Sequence, residues 1–481
     1  MPINGFLYPG AKVVKGYNVD NSLRFNSGDS AELTKTFSSA GNQKTWTFSC
    51  WIKRSGISGS TSYSILEAGH GTTPWFVFAI INDKIQVGAT AGSTSSWEAT
   101  SVLRDSSAWY HIVLVVDTTS STSSISNGST DRFRVYVNNV QQTLSGGTVP
   151  SLNADLQWNG TAGQHMFGAS YGQFFDGYAC EVAFIDGQAL SPSSFGEYDE
   201  DSPTIWKPKN ISTLTFGTNG FYLDFEDSSS LGNDISGNNH DWTVANLAST
   251  DQSTDTCTNN FATLNPLNVP TSNAPTFSEG NLISSTSDSA QFGGTSTIGV
   301  SSGKWYAEFK SAETGGEEKE MVGVTHAPGE DARSGDNVGR TAESFAIRFL
   351  DGQQSNNNSA SAYGSAFSVG DICQVALDID NNNLYFGKNG QWGDGSGNFN
   401  QSTPTSAITI PTIANTTEGA YFFSVGDISS SSGRSLISCN FGSPPFSISS
   451  GNADANGHGN FEYAPPSGYF SLCTKNLAES G

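Results

Sequence analysis

The chain has 481 residues and carries 22 Lys and Arg against 45 Asp and Glu, a net charge of −23. That length predicts two or three domains, each able to bury its own core. The acidic balance excludes a footprint for phosphate backbones, so nucleic acid and anionic membrane surfaces are disfavoured as partners. Only 14% of residues are charged, but 36% are hydrophobic and 11% aromatic, which excludes disorder through a shortage of core material.

In chain order, the opening MPINGFLYPG has neither a basic stretch nor an apolar run, and ordinary signal-dependent secretion is not expected. Gly5, Pro9, Gly10 and Gly16 interrupt residues 1–20, which predicts an extended arm docking onto a neighbouring subunit. Trp46 to Lys53 alternates, with Trp46, Phe48, Cys50 and Ile52 on one face and Thr47, Ser49, Trp51 and Lys53 on the other, as in a sandwich strand. The longest apolar run, Trp75 to Ile81, is far shorter than the roughly 20 residues of a membrane-spanning helix, so no bilayer insertion is expected. Trp109 to Asp117 has a continuous apolar centre, the pattern of an inner strand covered on both faces. Asp131 to Val137 turns Phe133, Val135 and Val137 inward and ends at Asn138-Asn139, a hairpin turn signal. Gly177 to Asp186 closes this set.

Five prolines lie between 203 and 275 among Ser, Thr and Asn, with a strand-like stretch at Phe221 to Phe225; this predicts an ordered connector. A second set of strands follows at Lys304 to Phe309, Phe345 to Phe349, Ile372 to Ile379, Leu384 to Phe386, Tyr421 to Val425 and Leu436 to Phe441. The fold class is therefore all-β, with two β-sandwich domains joined by the connector. Residues 1–210 carry 13 basic and 17 acidic side chains against 9 and 28 beyond, so the two halves present different surfaces. The six cysteines, at 50, 180, 257, 373, 439 and 473, show no paired CxxC. Cys50, Cys180, Cys373 and Cys439 fall in strand-like stretches, where reduced thiols serve as small buried hydrophobes in a protein that folds in the cytoplasm.

The segments NSLRFNSGDSAELTKTFSSAGNQKTWTFSCWIKRS from Asn21, WYHIVLVVD, FRVYVNNV and FFDGYACEVAFIDGQALSPSSFGE from Phe174 resemble a concanavalin A-like jelly roll of the laminin-G type, in the version common in marine bacteriophage structural proteins. GKWYAEFK from Gly303, GDICQVALDIDNNNLYFGKNGQW from Gly370 and SCNFG from Ser438 are similar to a SPRY (B30.2-like) sandwich. TNGFYLDFEDSSSLGNDISGNNHDW from Thr218 and FEYAPPSGYFSLCTKNL from Phe461 resemble the connector and tail of such phage proteins. The expected organisation is an arm at 1–20, a jelly roll at 21–200, a connector at 201–286, a SPRY-like sandwich at 287–445 and a tail segment at 446–481.

The resemblance implies a non-enzymatic protein of the virion surface, a tail fibre, spike or head fibre with lectin-like domains. It would be assembled in the host cytoplasm as a homo-oligomer among other virion proteins, and would attach to host-surface glycans. The alternative it leaves open is a capsid or tail decoration subunit that clamps neighbouring virion proteins without a host ligand. A glycan depolymerase is the third reading, since related jelly rolls host such enzymes.

Sugar binding needs an aromatic face against the C–H side of a ring plus polar groups for hydroxyls. Trp97, Trp158 and Tyr171 in polar stretches of the first half, and Trp392 in a Gly/Asn loop of the second, are the candidates; Trp46, Trp109 and Trp305 belong to strand patterns and are assigned to cores. No cofactor is expected. Asp378-x-Asp380-x-Asn382 matches the first three positions of a calcium loop, but Asn383 and Asn389 stand where Gly and a bidentate Glu are needed. A hairpin accounts for the same residues. The acidic run Glu197 to Asp201 follows a domain-closing segment and precedes Ser-Pro, which reads as a solvated loop rather than a glycosidase pair. The six histidines form no HExxH, and neither a G-x-S-x-G elbow nor a phosphate-binding loop occurs, so no catalytic residue is assigned.

Overall fold

The computed structural model describes residues 16–57, 61–69, 75–90, 96–121, 131–170, 172–286, 292–312, 319–334, 337–428 and 435–481. Among these, helix is confined to short turns and two seven-residue segments, Pro328–Ser334 and Thr474–Ser480. The rest of the regular structure is strand, as the alternating patterns require.

The first sandwich packs two eight-stranded sheets. One runs Val140–Gln141, Phe133–Val137, Trp109–Asp117, Thr45–Arg54, Gly177–Asp186, Ser22–Phe25 and Gln252–Ser253, with Phe221–Leu223 paired beside Gly177–Asp186. The facing sheet runs Leu144–Gly146, Ser96–Ala99, Lys84–Thr90, Trp75–Ile81, Ser62–Ala68, His165–Phe167, Glu32–Lys35 and Thr243–Ala245. Between them Trp46, Phe48, Cys50 and Ile52 meet Phe76, Phe78, Phe167 and Phe184 in one continuous core. The predicted hairpin forms at Asn138 and Asn139, whose φ values of 48° and 66° fit a type I′ turn.

Thr47, Ser49, Trp51 and Lys53 are as buried as their alternates, because the outer face is covered too. Phe195, Ile211, Phe216 and Tyr222 pack on Val113, Val115, Ala183 and Ile185, and Tyr17, Val19 and Trp206 gather around Trp51 and Cys180. His111 lies in this outer layer: Trp206 Nε1 donates to its Nδ1 at 2.9 Å, so Nε2 carries the proton and faces Ser49 Oγ at 2.9 Å. Burial holds that imidazole down to about 3, neutral across the physiological range.

The strand Gly177–Asp186 breaks register between Cys180 and Ala183. At the break Glu181 takes φ 53°, a bulge conformation that is uncommon for a non-glycine residue. Its buried carboxylate accepts from Tyr222 Oη at 2.8 Å and Tyr17 Oη at 3.2 Å, and burial pushes its carboxyl up to about 7. The bulge also brings together thiols that sequence spacing separates, since Cys180 Sγ lies 3.5 Å from Cys257 Sγ.

The second sandwich has a ten-stranded sheet in the order Thr276–Ser278, Ile283–Ser285, Leu436–Asn440, Lys304–Ser311, Ile372–Asp378, Asn383–Lys388, Gln391–Gly393 and Phe399–Gln401. Ile408–Thr409 pairs with Asn383–Lys388, and Phe470–Ser471 joins Lys304–Ser311 in parallel. Its partner runs Phe292–Thr295, Phe422–Asp427, Glu320–Thr325, Ser344–Arg348, Gln354–Asn356 and Ser359–Ser361. Trp305, Phe309, Val324, Phe386, Phe423 and Phe441 fill the space between.

The connector is divided between the two bodies: its strands up to Gln252–Ser253 complete the first sandwich, and Thr276–Ser278 with Ile283–Ser285 edge the second. Arg24 binds the seam. Its guanidinium, 1% exposed, donates to Thr250 O at 2.8 Å, Glu279 Oε2 at 3.1 Å and Pro444 O at 3.3 Å.

Candidate functional site

The hairpin Asn383–Lys388 to Gln391–Gly393 turns through Asn389 and Gly390, at φ 49° and 84°. Asn389 Oδ1 accepts from Ile372 N at 2.9 Å, which ties the turn to the neighbouring strand. A Cβ at Gly390 would stand 2.9 Å from the Tyr463 ring, so the turn must be bare for the tail to lie on it. Glu308 fastens that tail. Its carboxylate accepts from Tyr463 N at 2.7 Å, Glu462 N at 3.0 Å, Tyr306 Oη at 3.0 Å and Asn440 Nδ2 at 3.2 Å.

Between the sheet and the tail lies a cleft of about 560 Å³, within the range that holds a small ligand. Tyr385, Trp392, Tyr463 and Tyr469 supply aromatic surface, and Lys304, Asp378 and Gln374 supply polar groups. Lys304 Nζ sits 2.8 Å from Asp378 Oδ2 and 5.7 Å from the centre of the Tyr469 ring. Gln374 Oε1 accepts from Gly390 N at 2.7 Å, so the amide is held in place. Ser402 and Thr403 form an exposed rim. The arrangement offers apolar ring faces beside fixed donors and acceptors, and no group in it is set up as a nucleophile.

Of the three aromatic candidates among the described residues, only Trp392 belongs to this cleft, and its ring packs against Tyr306, Phe461 and Tyr469. Trp158 is corrected to a core residue. It is fully buried, with ring contacts at 5.0 Å to His165 and 5.6 Å to Phe184, and offers no face to a ligand. Trp97 is also corrected: it is 6% exposed within the same core, and a Cβ at Gly147 would come within 2.6 Å of its ring. Tyr171 lies outside the described residues. Of the three core assignments, Trp46 and Trp305 are fully buried, whereas Trp109 is half-buried and donates to Asp255.

The calcium-like run forms a hairpin turn. Asp378 pairs with Asn383 across the ladder and accepts from Asn381, Asn382 takes φ 56°, and Asp380 Oδ1 accepts from Gly303 N at 2.8 Å. The acidic run is solvated, with Glu197, Glu200 and Asp201 exposed, and its start is paired: Gly196–Tyr198 lies against Trp206–Pro208, and Lys207 Nζ reaches Asp199 Oδ2 at 3.1 Å. Tyr385, Tyr463 and Tyr469 were missed by sequence reasoning. The first alternates within a strand and the others flank Pro465-Pro466, so only the folded tail brings them together.

Residues 25–194 match the family described as the concanavalin A-like lectin/glucanases superfamily, and residues 304–408 match the SPRY domain. The chain carries a concanavalin A-like domain followed by a SPRY domain. The fold of the first is thus lectin-like, and the cleft belongs to the second, walled by the tail beyond the matched residues. Among solved structures, the SPRY domain of human HERC1 is 21% identical with a TM-score of 0.25, covering 33% of this chain and 87% of that one. A candidate carbohydrate-binding protein from Bacteroides ovatus is 15% identical with a TM-score of 0.34, covering 47% of this chain and 58% of that one. No curated protein matches the chain.

Proposed function

We propose that this chain is a non-enzymatic bacteriophage virion surface protein that attaches to host-surface glycans through the cleft of its SPRY domain. The observation that carries the reading is the meeting of Tyr385, Tyr463 and Tyr469 with Lys304, Asp378 and Gln374 in one groove. Sugar rings stack their C–H faces on aromatics and give their hydroxyls to polar groups. The virion assignment is supported by the phage-like segments from Thr218 and Phe461, of which the first adds Phe221–Leu223 to the first sandwich and the second walls the cleft. Weak single sites are sufficient in such a setting, because multiple copies raise avidity by about 10² to 10⁴ when geometry permits.

The test is a glycan array probed with multimerised full-length protein, followed by competition of virion adsorption with the best glycan. Selective binding and blocked adsorption are the expected results. Binding to no glycan, with particles that become fragile when the protein is missing, would favour the decoration subunit. Release of oligosaccharide from a polysaccharide would contradict the non-enzymatic reading.

A further inference from the structure

Lys53 is an unusual lysine. It projects from the outer face of the strand Thr45–Arg54 and is 1% exposed, as is the side chain of Asp255 beside it. Its Nζ lies 2.7 Å from Asp255 Oδ2, 2.7 Å from Asn260 Oδ1 and 2.8 Å from Phe261 O. Asp255 Oδ1 is held by Trp109 Nε1 at 3.1 Å and Phe261 N at 3.2 Å. Asn260 Nδ2 donates to Ser107 O at 2.6 Å. The Tyr178 ring closes another side, its centre 5.7 Å from Nζ. A buried amine, a carboxylate and a primary amide thus converge, shielded from water by aromatic side chains.

We propose that this triad forms an intramolecular isopeptide bond between Lys53 and Asn260, with Asp255 as the catalytic acid–base. The Asn260 Cγ is bonded to an oxygen 2.7 Å from Nζ, so the two reacting atoms are within about 4 Å; a small rotation reaches the roughly 3 to 3.5 Å of a near-attack geometry. Asp255 first takes a proton from the Lys53 ammonium, leaving a neutral amine. The Nζ lone pair attacks Cγ, forming the new C–N bond and placing the carbonyl π electrons on Oδ1. Asp255 then relays a second Nζ proton to Nδ2. The tetrahedral adduct collapses, the Cγ–Nδ2 bond breaks, and ammonia departs with the proton that Asp255 held, as ammonium. No oxidant or cofactor is required.

The environment suits each step. Burial is the largest influence on the Asp255 carboxyl and raises it above its ordinary value against the pull of Lys53, so it takes up a proton more readily than an exposed aspartate does. Ser107 O orients the amide and accepts a hydrogen bond from the nitrogen that becomes the leaving group. The bond would join residues 207 apart, pinning the connector to the first domain where the seam to the second begins. A covalent clamp there would resist forces that pull the domains apart.

Intact-mass spectrometry of the denatured full-length protein tests the proposal. The expected result is a deficit of one ammonia, about 17 Da, with a branched proteolytic peptide joining Lys53 to Asn260. Asn260→Ala removes the acceptor from a half-buried position and leaves the ion pair, so this variant should fold and show its full calculated mass. Asp255→Asn should show no deficit either. Full mass in the wild-type protein overturns the proposal and leaves a buried ion pair. A deficit of about 18 Da, the loss of water, would instead join Lys53 to Asp255 and equally overturn it. A deficit that persists in Asn260→Ala rules out the assigned acceptor.

Discussion

Glu308 shows how one buried side chain organises the candidate site. Its four donors come from two strands and the tail, so the carboxyl specifies where the tail lies. Burial outweighs these donors and pushes the group up to about 7, from 4.5. Between those values the folded protein keeps a proton that the unfolded chain has released, so this group's contribution to stability falls as pH rises from about 4.5 to 7. Glu308→Gln cannot titrate. Urea unfolding across that window should show the stability gap between wild type and variant narrowing as pH rises, by at most about 3 kcal/mol. A gap that widens with pH would contradict burial as the dominant influence.

At the scale of elements, the tail is a structural part of the SPRY sandwich. Phe461 is fully buried and meets Tyr306 edge to face at 5.0 Å. Phe461→Ala should cost about 3 to 5 kcal/mol in chemical denaturation and loosen the cleft wall; a change below about 1 kcal/mol would mean the tail is merely laid on the surface. Gly390→Ala should act on the same wall through φ and through the Tyr463 contact, weakening ligand binding more than it lowers the melting temperature.

The strands most readable in the sequence were those with a strong pattern, alternation in Thr45–Arg54 and a continuous apolar centre in Trp109–Asp117. Glu320–Thr325 was missed although it is central in its sheet, because Glu320, Gly323 and Thr325 dilute its apolar character and Gly323 interrupts the alternation. The burial of the face that carries Thr47, Ser49, Trp51 and Lys53 was not legible for a different reason. Alternation reports side-chain chemistry, but the covering layer comes from Tyr17 and Val19, residues 195 to 222 and Asp255 to Phe261, whose docking no local pattern encodes. Trp392 was read as a loop aromatic but lies on the strand Gln391–Gly393, and Trp97 and Trp158 were not legible as core residues, because polar neighbours in sequence conceal the packing that folding gives them.

At the scale of the whole molecule, the two domains share a buried seam rather than a tether. Arg24 spans the first sheet, the connector and the second domain, Tyr178 Oη donates to Gly280 O at 3.0 Å, and Ser253 Oγ meets Ser443 Oγ at 2.6 Å. Calorimetry should therefore show one cooperative transition for the wild-type chain. Arg24→Met leaves the half-buried Asp251 and Glu279 without the cation that stands 3.4 and 3.1 Å from them, at a cost of about 3 kcal/mol at most, and should split that transition in two. Two transitions in the wild type would show that the seam does not couple the domains.

A rigid seam fixes the cleft at a set orientation to the rest of the molecule, which is useful only if the cleft holds a ligand. Titration calorimetry of the full-length wild type and Tyr385→Ala with the glycan selected on the array tests this most directly. The account predicts saturable binding by the wild type and at least a tenfold loss in the variant, about 1.4 kcal/mol, with an unchanged melting temperature. Equal affinity in the two proteins would contradict it, and would place any glycan site elsewhere on the chain.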